Sequence, residues 1–166
     1  CISRIKLGIN PTWIEGVHTT FHNQGNDIIL YELHGLKELI ESHSSIYAKE
    51  CGYDYKPVIS SSWFNFNEHN HFQFSHNHIG AKNVISGIYY VETTGNDGDT
   101  VFENPNQFIN ADTFPCNKTF ETVSYQPETN KLLLFPSWLK HRVNPNLDNS
   151  TRITISFNIQ WSEMYE

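Results

Sequence analysis

The nine histidines of this 166-residue chain are unevenly spread, and His69, His71, His76 and His78 fall within ten residues of one another. A strand puts residues i and i+2 on one face, so His76 and His78 can both point at one metal ion if their segment is extended. A third ligand must then arrive from a distance. His141 is the natural choice, following the run Lys131–Phe135 and the turn Pro136-Ser-Trp. Neutral imidazole suits iron, zinc, copper and nickel alike, so the pattern predicts a metal without naming it. The competing reading is a solvated loop in an Asn- and His-rich stretch. His69 and His71 share the spacing but sit in Asn67-Glu-His-Asn-His71, a turn sequence that predicts surface or pocket-rim positions. His18, His22 and His34 are expected on outer faces of the N-terminal region, and His43 as a packed, hydrogen-bonded residue.

A second constellation lies in the last β-like run. Arg152, Thr154, Ser156 and Asn158 alternate with Ile153, Ile155, Phe157 and Ile159. Such alternation describes a half-buried strand with its polar side in water, which would make Arg152 a solvated charge. Position supports a different role, because Arg152 follows His141 by eleven residues. That distance lets the chain turn from one strand into the next and return to the same neighbourhood. A guanidinium there can hold a carboxylate bidentately, with the Thr154 hydroxyl beside it.

The elements that must position these groups fall into two regions. From about Asp27 to Cys51 apolar residues recur near the helical period at Ile29, Leu33, Leu36, Ile40 and Tyr47, His43 fills the gap in that stripe, and Gly52 is placed as a C-cap. Beyond Pro57 the runs Val58–Asn67, Val84–Thr93, Thr100–Glu103, Thr119–Tyr125, Lys131–Phe135 and Thr151–Trp161 are rich in β-branched and aromatic residues. A weak strand signal over Ile5, Leu7 and Ile9 and turns at Asn10-Pro11 and Asn23–Asn26 complete the pattern. Several β segments without intervening helices predict a mainly β jelly-roll or barrel with the helix packed outside. The organisation expected is one domain over 1–166, with 1–55 a strand and helix cover and 56–166 the jelly-roll core.

Composition narrows the function classes. Eleven Lys and Arg against 18 Asp and Glu give a formal charge of −7, which disfavours a nucleic-acid polymer as partner. Aromatics at 14% argue against disorder. No apolar run reaches the roughly 18 residues of a membrane helix, and no basic-then-apolar leader opens the sequence. Cys1, Cys51 and Cys116 lack metal-type spacing and read as free thiols, so a cytoplasmic protein is expected. No Gly-x-Ser-x-Gly elbow supports a nucleophilic hydrolase.

Taken in order, His76-x-His78, Ser86-Gly-Ile-Tyr-Tyr-Val91, Gly98-Asp-Thr-Val-Phe102, Leu134-Phe-Pro-Ser-Trp-Leu-x-His141-x-Val-x-Pro145-Asn and Arg152-x-Thr154 form a specific set. The chain from Trp63 to Trp161 resembles the iron(II)/2-oxoglutarate-dependent oxygenase superfamily. The nearest part is its prolyl-hydroxylase-like branch, in a group found in marine bacteria and their phages. The resemblance implies a double-stranded β-helix (a cupin-like jelly roll) with the metal at one mouth. It implies that His76 and His141 are iron ligands, that Arg152 pairs with the far carboxylate of 2-oxoglutarate, and that Thr154 supplies the hydroxyl of an R-x-S/T signature. Tyr90 resembles a tyrosine near that carboxylate, while Asn65 and Asn67 match co-substrate-contacting positions of nucleic-acid demethylases. The superfamily usually has Asp or Glu where this chain has His78. A third imidazole leaves the ferrous charge unneutralised, which gives the anionic co-substrate more to do; Glu68 and Asp99 are less fitting substitutes. The activity implied is hydroxylation of a small molecule or protein residue, using dioxygen and yielding succinate and carbon dioxide. Two alternatives are a three-histidine dioxygenase that uses no 2-oxoglutarate and a non-catalytic jelly-roll metal-binding or structural module.

Overall fold

The computed structural model describes residues 8–9, 17–21, 32–54, 56–80, 82–106 and 120–162. The expectations placed on Ile5, Leu7, the turns at Asn10-Pro11 and Asn23–Asn26, His22, Ile29, Cys1, Cys116 and Thr119 lie outside them.

Among the described residues ten strands and one helix follow in the order β1 (Gly8–Ile9), β2 (His18–Thr19), α1 (His34–Glu50), β3 (Pro57–Asn67), β4 (Gln73–His76), β5 (Ile85–Glu92), β6 (Thr100–Glu103), β7 (Thr122–Tyr125), β8 (Leu132–Pro136), β9 (His141–Val143) and β10 (Arg152–Trp161). They form two antiparallel sheets, a major one in the order β1-β2-β3-β10-β5-β8 and a minor one in the order β4-β9-β6-β7. The fold is the mainly β jelly roll expected from the sequence, with α1 packed on the outside of the major sheet.

Register decides which side of the major sheet carries what. Directly opposed residues in neighbouring strands share a face. Across β3, β10 and β5 the rows Phe64–Ile155–Tyr89 and Ser62–Phe157–Gly87 lie on one side, and Asn65–Thr154–Tyr90 and Trp63–Ser156–Ile88 on the other. The first side is the hydrophobic core, where Ile59, Phe64, Phe66, Ile85, Ile153, Ile155, Phe157 and Ile159 meet Ile40 and Ala48 of α1. Each large apolar side chain buried there contributes about 1.5–3 kcal/mol. Gly87 is required by that packing, since a Cβ would come within 2.2 Å of the Phe157 ring and 2.8 Å of the Leu133 carbonyl oxygen. The second side faces the minor sheet. There Ile88, Tyr90, Phe102 and Phe135 make a smaller cluster, and polar side chains fill the rest.

This arrangement corrects the plainer expectation for β10. Its polar side does not face water: Arg152, Thr154, Ser156 and Asn158 are all buried, as are their apolar alternates. The helix differs too. Glu32 and Leu33 are not helical and α1 starts at His34; the part of the expected helix at 27–31 lies outside the described residues. Its buried stripe is Ile40, Ser44 and Ala48, which turns His43 out into solvent and not into the core. The C-terminal end is as expected. Gly52, at φ +82°, donates to the Lys49 carbonyl while Tyr53 donates to Ala48, the paired bonds of a Schellman stop.

Candidate metal centre

His76 ends β4 and His141 opens β9, and the two are direct partners across the minor sheet. His78 lies two residues beyond β4, where its backbone N–H donates to the Ser137 carbonyl. The three rings are mutual neighbours, with centroids 4.4 Å apart for His76–His141, 5.1 Å for His78–His141 and 5.3 Å for His76–His78. Each offers a nitrogen within 4.8 Å of the other two, so the set could hold one metal ion. Neither Glu68 nor Asp99 belongs to it.

Each ring is also oriented for that task. Nδ1 of His76 donates to the Phe74 carbonyl at 2.7 Å, Nδ1 of His141 to the Leu139 carbonyl at 3.1 Å, and Nδ1 of His78 to Oδ1 of Asn158 at 2.7 Å. These oxygens only accept, so the proton sits on Nδ1 and the Nε2 lone pair is left for a metal. Burial opposes protonation of all three. It lowers the pKa of His76, takes that of His78 down to about 4, and takes that of His141 down to about 3, with neighbouring imidazoles adding to the last two effects. At neutral pH the cluster is therefore uncharged and ready to ligate.

Deeper in the same interior lies Arg152, 2% exposed. Its Nη1 donates to the backbone carbonyls of Asp97 and Gly98, and it forms no salt bridge among the described residues. The loop that presents those carbonyls is itself pinned. The buried Asp97 carboxylate accepts from the Thr93 hydroxyl at 2.5 Å and the Thr94 N–H at 2.9 Å, and the Asp99 carbonyl accepts from the Asn144 N–H. Gly98, at φ +101°, lies against the Asn144 carbonyl so closely that a Cβ would come within 2.3 Å. Backbone dipoles thus hold the guanidinium, with the Asp97 and Asp99 charges near enough to act on it but not paired with it.

Tyr90 is 1% exposed, and its hydroxyl pairs with that of Thr100 at 2.6 Å. Burial raises its pKa, opposed by the Thr100 bond and the nearby Arg152 charge. Thr154 stands beside Tyr90 and Asn65 in one inward row. The two asparagines differ. Asn65 is already engaged, accepting from the Thr19 hydroxyl and donating to that of Ser156, both at 3.0 Å. Asn67 stands opposite Arg152, and its Nδ2 has no partner. Four buried side-chain atoms lack a hydrogen bond among the described residues: Ser44 Oγ, Trp63 Nε1, Asn67 Nδ2 and Arg152 Nε. The last three are N–H donors on the inward face, and buried donors are rarely left unmet. Three unmet donors on one face suit a ligand rich in acceptors, as a diacid is.

The structure brings His76, His78 and His141 together, and it adds Asn158 and Trp63, which sequence reasoning did not single out. Asn158 was legible only as part of the polar alternation. Its spacing of six from Arg152, on the same face, is the signal that could have singled it out. Among the described residues the other histidines stand apart from the centre. His69 and His71 flank a turn with Asn70 at φ 64°, His34 is exposed, and His18 is half-buried with its ring 6.2 Å from that of His71.

Residues 61–158, more than half of the chain, match the family "Putative 2OG-Fe(II) oxygenase". The chain belongs to that family, which is named for iron(II) and 2-oxoglutarate. No curated protein matches it by sequence. Solved structures of similar fold include a Pseudomonas putida prolyl-4-hydroxylase (TM-score 0.63, 11% identity, 93% of this chain and 77% of that one). HygX from Streptomyces hygroscopicus, with nickel and 2-oxoglutarate bound, is similar as well (TM-score 0.60, 9% identity, 96% and 74%). So is a 2OG-Fe(II) oxygenase family oxidoreductase from Burkholderia pseudomallei (TM-score 0.56, 10% identity, 70% and 49%). The chain thus spans about half the length of that last protein.

Proposed function

We propose that this chain is an iron(II)/2-oxoglutarate-dependent hydroxylase. In this reading His76, His78 and His141 hold iron(II) through Nε2, and Arg152 takes the far carboxylate of 2-oxoglutarate. The observation that carries it is the buried Arg152, with no ion pair among the described residues and Nε unpaired, in the same interior as three converging imidazoles. Bound there, iron(II) with 2-oxoglutarate and dioxygen supplies oxidative decarboxylation to succinate and carbon dioxide, coupled to oxidation of the primary substrate. The chain's own part is charge and placement. Three neutral imidazoles bring no negative charge to the metal, so the dianionic co-substrate supplies what the usual carboxylate ligand would. Arg152, with the Asn67 amide opposite and the Thr154 and Tyr90 hydroxyls near, receives its other end, while Asn65 braces Ser156 and Thr19. Burial of these groups keeps bulk water from competing for them.

The family and the prolyl-4-hydroxylase likeness favour a protein residue or a small molecule as primary substrate, and the charge of −7 disfavours a nucleic-acid polymer. Among the described residues no helix is long and apolar enough to cross a membrane.

The test is anaerobic binding of 2-oxoglutarate to metal-loaded wild type and Arg152→Ala, followed by succinate assay in air. Removing one side of a buried charge pair costs about 2–5 kcal/mol. The variant should therefore keep its metal but bind 2-oxoglutarate at least ~30-fold more weakly. Equal affinity would overturn the role of Arg152. Substrate oxidation without succinate would point instead to a dioxygenase that uses no 2-oxoglutarate.

A further inference from the structure

Trp63 is 5% exposed, and its indole Nε1–H has no hydrogen-bond partner. An indole nitrogen only donates, and leaving a buried donor unmet costs about 1–3 kcal/mol. The position of Trp63 says what could meet it. Four rows of inward side chains run along the major sheet: Asn67–Arg152, Asn65–Thr154–Tyr90, Trp63–Ser156–Ile88 and Ser61–Asn158–Ser86. Arg152 stands in the first row, its guanidinium held by the Asp97 and Gly98 carbonyls. His78 is bonded to Asn158 in the fourth, and its ring centroid lies 5.8 Å from that of Trp63. The ring of Phe21 closes the other side of the indole at 4.9 Å, edge to face.

A diacid gripped by Arg152 and reaching the histidine cluster must pass the third row, where Trp63 stands. Ser156 opposite accepts from the Asn65 amide through its hydroxyl oxygen, while the indole N–H is a buried donor that no described residue meets. We infer that Trp63 is a co-substrate-binding residue whose Nε1–H donates to an oxygen at the metal-side end of 2-oxoglutarate. The inference rests on the oxygenase reading above. It gives the co-substrate an anchor at each end, a guanidinium at the far carboxylate and an indole near the metal, so that a diacid too short to span both engages the guanidinium alone.

The test uses ¹⁵N-tryptophan-labelled protein loaded with Zn(II) and titrated with 2-oxoglutarate, the four indole signals being assigned by triple resonance. The Trp63 indole proton should move downfield as the site fills. Calorimetry should show Trp63→Phe binding 2-oxoglutarate about tenfold more weakly with zinc affinity retained. Succinate, which keeps the far carboxylate but shortens the metal-side end, should leave the Trp63 signal in place. Binding of 2-oxoglutarate to the wild type with an unmoved Trp63 signal overturns this inference alone, and needs no variant to fold. A wild type that takes zinc but no 2-oxoglutarate overturns the oxygenase reading, and this inference with it.

Discussion

Asn158 ties two structural demands together, because its Oδ1 accepts from both His78 Nδ1 and the Ser86 hydroxyl while its Nδ2 donates to Ser61. Second-sphere partners of this kind are typically worth 10–100-fold in metal affinity. Asn158→Ala should weaken zinc or iron binding by about that much, measured by competition with a chelator, with the circular dichroism spectrum unchanged. Loss of a ligand is harsher, and His141→Ala should hold no stoichiometric metal after desalting. The imidazoles also set an acid limit. Histidines titrate near 6.5 when unfolded, whereas burial holds His78 near 4 and His141 near 3 in the folded chain. Between those values the unfolded state binds more protons, so this contribution to stability is full above about pH 7 and is lost as pH falls below 6.5. Urea midpoints of the metal-free protein should drop from pH 7 to pH 5, and drop less in His141→Ala; a flat profile in the wild type would contradict the shifts. At this scale the histidine triad and Arg152 were legible from type and spacing. Asn158 and Trp63 were not, because alternation assigns residues to a face without saying which face points inward.

Strand β10 explains why that distinction mattered. It lies between β3 and β5 in the major sheet and is covered on both sides, by α1 and its apolar residues on one and by the polar interior on the other. A sequence that reads as half-solvated is therefore wholly buried. The long strands were legible because β-branched and aromatic runs bounded by turn residues carry their own signal. Strands β4 and β9 were not, since Gln73–His76 and His141–Val143 are too short to show a period and are held in place by pairing. His43 was misjudged, because the register of α1 is fixed by what it packs on, with Ser44 taking a buried position. Close packing at this scale yields a sharp expectation at Gly87. Alanine there meets the ring of Phe157, which is fully buried, and a backbone oxygen that cannot yield. Gly87→Ala should cost about 3 kcal/mol in urea unfolding, at the upper end for overpacking. A loss below 0.5 kcal/mol would mean that β5 and β10 adjust more freely than their register implies.

The molecule joins its two sheets at the candidate metal centre, with His76 and His141 on the minor sheet and His78 fastened through Asn158 to the major one. A ligand that binds only the folded arrangement stabilises it by mass action, about 2.7 kcal/mol at a hundredfold excess over Kd. For a chain of this size that corresponds to roughly 5–10 °C in Tm. Zinc with 2-oxoglutarate should raise the melting temperature by that range, whereas 2-oxoglutarate without metal should leave it near the starting value. The separation of the helix-side packing from the ligand-side lining has a further consequence. Folding and chemistry draw on alternate letters of the same strand, so each can drift with little effect on the other. A lineage, or an engineer, can rewrite inward positions 61, 65 and 156 to admit new guests while Phe64, Ile155 and Phe157 on the other face go on assembling the same scaffold.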